Sequence, residues 1–194
     1  MKKTRIHYLV PELYFPKNVY FSTDINKVFN SSDIVIIAIP SQSIRGVISQ
    51  LENKLVSDNK VIVNVSKGIE VGTLKTSGQI IKEITGIKSE NTVTLSGPSH
   101  AEEVVAGHPT TLVSASVDLN SAKKIQKLFS NEKLRIYTNK DVRGVELGGA
   151  MKNVIAIAAG ISDGIGFGVN SKAPLMPRGM REIARLGQAM GADP

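Results

Sequence analysis

A single lysine interrupts an otherwise apolar run, Glu146-Leu-Gly-Gly-Ala-Met-Lys-Asn-Val-Ile-Ala-Ile-Ala-Ala-Gly160. On a 3.6-residue helix the neighbours of Lys152 lie three and four positions away. They are Gly148 and Gly149 behind it, Ile155 and Ala156 ahead, then Ala159 and Gly160. The surface around the lysine is thus nearly bare of side chains, so a small molecule or another backbone can approach it. An ammonium in apolar surroundings is poorly solvated, which lowers its pKa and suits it to proton transfer. Glycine costs a helix up to about 1 kcal/mol relative to alanine, so a Gly-Gly pair here needs a reason. The competing reading is close helix packing, with Lys152 snorkelling to water.

Three further segments offer polar residues directly after strand-like runs: Pro40 to Ser43, Ser66 to Glu70 with Lys67 beside Gly68, and Ser96 to Glu103. In open α/β sheets ligands bind beyond the carboxyl ends of the strands. Ser99 is placed to cap a helix whose free N–H groups favour an anion or a hydroxyl ligand. Singly, each has a plainer explanation: a strand stop, a solvated loop lysine, a helix cap. Gly164 to Gly168 follows a helix rather than a strand, so it reads as a loop and not as a dinucleotide-binding glycine turn.

The elements that must position these residues alternate strand and helix. Asp33 to Ile39 is a β-branched run of the kind buried on both faces, and Pro40 ends it. Ser41 is set to cap a helix from Gln42 to Asn53 with Ile44, Val47, Ile48 and Leu51 on one face. Strands are predicted at Val61 to Val65, Thr92 to Leu95, Thr110 to Ser114 and Leu134 to Tyr137. Helices are predicted at Ser77 to Ile84, Ser99 to Gly107 and Leu119 to Phe129. This rhythm predicts an α/β, Rossmann-like fold with a largely parallel sheet. After about Thr138 the pattern becomes helix (Val142 to Ile161), glycine loop (Asp163 to Asn170), helix (Pro174 to Met190). A boundary is therefore expected near residue 139. Residues 1–138 form a partial nucleotide-binding domain and 139–194 the beginning of a helical one.

Composition narrows the classes. The chain has 194 residues, 41% of them hydrophobic, enough for a core. No cysteine is present, which removes disulfides and thiolate metal sites. Three histidines far apart give no zinc constellation. The net charge of +7 invites nucleic acid, but the lysines are scattered and aromatics are only 5%. An anionic small substrate suits the charge better. No signal peptide is visible, and charged residues break the longest apolar run, so neither export nor membrane insertion is expected.

Together these motifs resemble the bacterial NAD(P)-dependent glycerol-3-phosphate dehydrogenases. The matching words are Ile39-Pro-Ser-Gln42, Ser66-Lys-Gly-Ile-Glu70, Leu95-Ser-Gly-Pro-Ser99 with Ala101-Glu-Glu103, and Val145-Glu-Leu-Gly-Gly-Ala150 with Lys152 to Gly160. Gly187 and Gly191-Ala-Asp-Pro194 extend the match, which runs from about Phe21 onward. The resemblance implies an oxidoreductase interconverting sn-glycerol 3-phosphate and dihydroxyacetone phosphate with NAD or NADP. It implies Lys152 as proton acceptor, Lys67, Gly97 and Ser99 at the substrate, and Pro40, Lys67 and Ala101 at the cofactor. It further implies a cytoplasmic enzyme of glycerol-3-phosphate metabolism, commonly a homodimer, that supplies phospholipid synthesis.

Departures accompany the matches. No glycine precedes Gly46, so the family's opening strand and Gly-x-Gly-x-x-Gly turn are not found. The family's later catalytic aspartate and Arg-Asn pair are not found either. Pro174 and Pro177 replace alanine and threonine of the family pattern; proline inside a helix costs ~3 kcal/mol, less in its first turn. Weak cofactor binding and little turnover are expected of these 194 residues. Two other readings stay open: a non-catalytic polypeptide that pairs with a partner chain, and a two-domain dehydrogenase acting on another hydroxy-substrate such as a sugar acid.

Overall fold

A computed structural model describes residues 4–7, 9–52 and 60–193. Five strands form one sheet in sequence order: β1 (Ile34–Ile37), β2 (Val61–Asn64), β3 (Thr92–Ser96), β4 (Thr110–Ala115) and β5 (Leu134–Asn139). All neighbours are parallel except β3 and β4. The exception has a simple cause. Between those strands lies α4 (Ala101–Val105), which at ~1.5 Å per residue rises only about 7.5 Å. It cannot carry the chain back along β3, so the chain turns and pairs antiparallel.

Side chains alternate across each strand, and the two faces hold separate cores. Ile62 joins Phe29, Ile44, Ile48, Ile80 and Ile81 on one face. Its neighbours Val61 and Val63 join Val93, Leu95, Leu112, Ile125 and Ile136 on the other. The first face is covered by α1 (Ile25–Asn30), α2 (Ile44–Ile48) and α3 (Ser77–Thr85), the second by α5 (Leu119–Phe129). Thr76 and Gln79 form a capping box at the start of α3, and Gly86 ends it in the left-handed conformation (φ 65).

Several sequence-based expectations are corrected. The run from Asp33 to Ile39 is not buried on both faces: only Ile34–Ile37 is strand, it lies at the sheet edge, and Ile36 is 47% exposed. An apolar groove of about 210 Å³ follows this edge, lined by Phe29, Ile36, Val47 and Leu51 among others. Ser41 does not cap a long helix. It opens a 3-10 turn, Ser41–Ser43, before the short α2; Leu51 is buried past the helix end, and Asn53 lies outside the described residues.

The helical part is a hairpin of α6 (Val142–Gly164) and α7 (Val169–Ala189). Asp141 caps α6 through the Gly144 N–H, and Arg143 reaches the Met190 carbonyl at 2.7 Å across the base of the hairpin. Gly179 packs where a Cβ would lie 2.2 Å from Cδ1 of Ile155. Residues 165–168 form the turn, with Gly166 at φ 78. The turn is shorter than expected, so Pro174 and Pro177 both fall inside α7 rather than at its start. The carbonyls of Asn170 and Ala173 lose their usual partners there; both residues are exposed, so water can satisfy them. By length and composition α6 could cross a membrane. It packs instead on the sheet through buried Glu146 and Leu147, with Lys152 near its middle.

Candidate functional site

The chain leaves β2 into a loop that is held from several sides. Ser66 is tied to the segment just after β1: the Ile39 N–H donates to its Oγ at 3.2 Å, and that hydroxyl donates to the Ile39 carbonyl at 2.6 Å. Asn64 Oδ1 accepts from the Ser66 N–H, while its Nδ2 donates to the Ser66 carbonyl, both at 3.1 Å. Gly68 adopts φ 143, and a Cβ there would lie 2.3 Å from Ser41 Oγ, so glycine is required twice over. The Gln42 amide spans the next turn, donating to the Ile69 carbonyl (2.8 Å) and accepting from the Val71 N–H (3.0 Å). Arg45 then grips Glu70 with two bonds of 2.9 Å and also reaches Glu83. These pairings hold the Glu70 carboxyl below the usual carboxylate range and that of Glu83 down at about 2.

Lys67 sits in the middle of this loop. Its ammonium donates to the Gly97 carbonyl at 2.6 Å and to Ser99 Oγ at 3.1 Å. Burial, and second the charge of Lys152, hold its pKa below the ordinary lysine value. Gly97 adopts φ 149, with a would-be Cβ 2.8 Å from the Thr111 carbonyl oxygen, so this turn too admits only glycine. Ser99 is not the helix cap expected from the sequence. His100 occupies that position without a side-chain bond, and α4 has five residues, too few to direct a strong dipole at a ligand. The Ser99 hydroxyl instead accepts from Lys67 and donates to the Gly97 carbonyl.

Lys152 reaches the same place from α6. With Lys67 it lines a cavity of about 450 Å³ together with Pro98, Ser99, His100, Glu103 and the start of β4. Gly149 explains how the helix comes so close: a Cβ there would lie 2.5 Å from Ser96 Oγ and 3.7 Å from Lys67 Cγ. The desolvated setting expected around Lys152 is not observed. The residue is exposed, and its ammonium donates to Asn153 Oδ1 at 3.1 Å. Gly148, Gly149 and Ala156 beside it are too small to cover it, so the more enclosed lysine of the pair is the half-buried Lys67.

The structure therefore brings Lys67, Gly97, Ser99 and Lys152 together. It does not bring Pro40 or Ala101 to the cavity wall. Pro40 is exposed, its carbonyl accepting from the Ser43 N–H, and Ala101 is the exposed first residue of α4. Sequence reasoning missed the supports: Gln42, Arg45, Asn64 and Glu146. A polar residue ending an all-apolar strand and a carboxylate inside an apolar helix were the available signals.

The fold is of the Rossmann-like α/β class, in which ligands bind beyond the carboxyl ends of the strands, and Lys67 and Lys152 meet at such an edge. The profile of the NAD-dependent glycerol-3-phosphate dehydrogenase N-terminus matches residues 1–122, and that of the C-terminus residues 141–194. The chain belongs to the NAD-dependent glycerol-3-phosphate dehydrogenase family. The match reaches the first residue, further than the words from Phe21 onward indicate. A Listeria monocytogenes glycerol-3-phosphate dehydrogenase [NAD(P)+] is 50% identical over 192 residues, 98% of this chain and 56% of the relative. One from Thermoanaerobacter is 49% identical over 179 residues, 92% and 53%. The crystal structure of glycerol-3-phosphate dehydrogenase from Coxiella burnetii superimposes with a TM-score of 0.88 at 30% identity, over 100% of this chain and 58% of that one. The chain thus spans a little over half the length of the relatives it matches.

Proposed function

We propose that the chain carries the two-lysine part of a site that interconverts sn-glycerol 3-phosphate and dihydroxyacetone phosphate, with residues 1–138 on the cofactor side and 139–194 on the substrate side. The observation that carries this reading is the pair of ammonium groups, Lys67 and Lys152, facing one cavity beside a serine hydroxyl and a carbonyl. Two cations in about 450 Å³ suit a small dianion rather than a polymer. The proposed activity includes placement in the cytoplasm and supply of glycerol phosphate to phospholipid synthesis.

The fit to a dinucleotide is partial. Lys67, on the cavity wall, would hold the nicotinamide end, whereas Pro40 and Ala101 lie outside that wall. A bound nicotinamide would supply hydride exchange at carbon 2 of the substrate. The protein's task is the proton on the oxygen at that carbon. In oxidation, Lys152 accepts the hydroxyl proton as the carbonyl forms; in reduction, Lys152 returns it. Lys67 and Ser99 hold the substrate oxygens, and Lys67 is kept in place by the Gly97 carbonyl. A second reading exchanges the lysines, because Lys67 is the one whose ammonium is held below its ordinary value.

The test is dihydroxyacetone-phosphate-dependent oxidation of NADH and NADPH by the purified chain, beside titration with glycerol 3-phosphate followed at both ammonium nitrogens by NMR. Saturable perturbation of both signals is expected, with slow turnover lost in Lys152→Ala and Lys67→Ala. Absence of any response at either nitrogen to millimolar glycerol 3-phosphate would overturn the reading. A pH–rate profile that keeps its basic limb in Lys152→Ala would select Lys67 as the proton acceptor.

A further inference from the structure

We propose that Asn64 and Glu146 form a buried polar key that sets the spacing between Lys67 and Lys152, making them positioning residues for the pair. This rests on the two-lysine site described above. Asn64 is fully buried at the end of β2, and Glu146 is 8% exposed on α6. Asn64 clamps both backbone groups of Ser66, the residue before Lys67, and its Nδ2 also reaches Glu146 Oε1 at 3.5 Å. That same carboxylate oxygen accepts from the Gly78 N–H at 2.7 Å and from Thr94 Oγ1 at 3.3 Å. One oxygen thus ties α6 to β2, β3 and the first turn of α3. Gly78 is what lets it in, since a Cβ there would lie 2.9 Å from Glu146 Oε1.

Lys152 follows Glu146 by six residues, ~9 Å along the helix axis. Lys67 follows Asn64 by three. The contact between Asn64 and Glu146 is therefore the point where the supports of the two lysines meet. An apolar side chain at residue 146 would avoid the cost of burying a carboxylate, which shows as a pKa raised chiefly by burial. It would also hold α6 less strictly along the sheet, because a buried polar pair fixes register more tightly than apolar contact alone in the best-attested cases. The close approach at Gly149, against Ser96 and Lys67, then requires a helix held at one position along its axis.

The experiment measures the charge coupling between the lysines in the substrate-free chain. The titration midpoint of Lys67 Nζ is followed by NMR with labelled lysine, with and without Lys152→Met. Removing the neighbouring ammonium raises the midpoint, and the size of that rise reports the spacing. The same pair is then measured in Asn64→Ala and Glu146→Ala backgrounds, with His100 and Glu103, which line the same cavity, unchanged throughout. The rise is expected to shrink by about half or more in both backgrounds, as for residues coupled through a shared contact. Glu146→Gln, which keeps an acceptor for the Gly78 N–H, is expected to retain most of it. A folded Asn64→Ala or Glu146→Ala chain with the full rise would overturn the proposal for that residue. If Glu146→Ala does not fold, the decision passes to Asn64→Ser, where an unchanged rise overturns it. The readout needs neither substrate nor cofactor, so it can fail while the glycerol-phosphate reading stands, and the reverse.

Discussion

The two lysines of the site are held in opposite ways. Lys67 lies on a loop fixed by Ser66, Gln42, Glu70 with Arg45, and a glycine pressed on Ser41, and its ammonium is spoken for by two oxygens. Lys152 stands on an exposed stretch of α6 with only the adjacent Asn153 as a bonded partner of its ammonium among the described residues. Around it Val154, Ile157 and Ile161 are exposed as well. One cation is thus preset by the local chain, whereas the other depends on where its whole helix rests. Tuning by burial falls to the first, and adjustability to the second.

The sharpest way to break this contrast is at the glycines of the preset side. Gly97→Ala meets backbone, the Thr111 carbonyl oxygen, at a φ of 149. Backbone strain of ~1–3 kcal/mol and an overpacking cost of similar size should together remove about 3 kcal/mol or more, read by denaturant unfolding. Gly68→Ala faces a side-chain hydroxyl of Ser41 instead, so it should cost less. An equal or smaller loss at Gly97 would mean that its turn yields where the geometry shows none to spare.

The helix side is expected to fail at its anchor. Glu146→Ala strips the acceptor from the Gly78 N–H and Thr94 Oγ1, both buried with it. A buried donor left unpaired costs ~1–3 kcal/mol, and cavity formation adds to it. The loss should be restored largely by Glu146→Gln. If the alanine variant is as stable as the parent, α6 is not held there, and the contrast between the lysines becomes one of exposure alone.

These two supports also mark how far the sequence could be read. The β-branched runs and the proline after Ile39 are local signals, and the strands follow them. Both lysines stand out because of their neighbours in sequence. The exposure of Ile34–Ile37 is not legible, because composition does not tell which strand ends the sheet. Apolar helical neighbours suggest desolvation at Lys152, yet glycine and alanine are too small to cover an ammonium. A serine before a helix suggests a cap at Ser99, yet its hydroxyl serves Lys67, thirty-two positions away. Glu146 meets Asn64 across eighty-two positions, a pairing no periodicity announces.

Acid and base should separate the two sides by sign. Burial raises the Glu146 carboxyl above its unfolded value of about 4.5, so the native state holds that proton more tightly. Its contribution to stability is therefore greatest at low pH and declines as pH rises from the unfolded pKa through the folded one. Glu70 and Glu83 are depressed by Arg45, so their contribution is full above the unfolded pKa and disappears as pH falls through the folded one, about 2 for Glu83. Unfolding curves across the acidic range should steepen toward loss at low pH in Glu146→Gln, which removes the opposing slope, and flatten in Arg45→Met. The same slope in parent and Glu146→Gln would show that the carboxyl is not desolvated.

The smallest effect is expected on the open face of α6. Gly160 is exposed in the helix interior, and a Cβ there meets nothing within 4 Å. Gly160→Ala should stabilise the chain by about 0.5–1 kcal/mol, because alanine has the higher helix propensity and restricts the unfolded state. This is the substitution that destabilises at Gly68 and Gly97, with the sign reversed because both space and φ allow it. A destabilising Gly160→Ala whose cost grows with protein concentration would mean that another copy of the chain packs closely on this face. Lys152 would then be as firmly set in solution as Lys67, and the inequality between the two lysines would belong to the isolated chain alone.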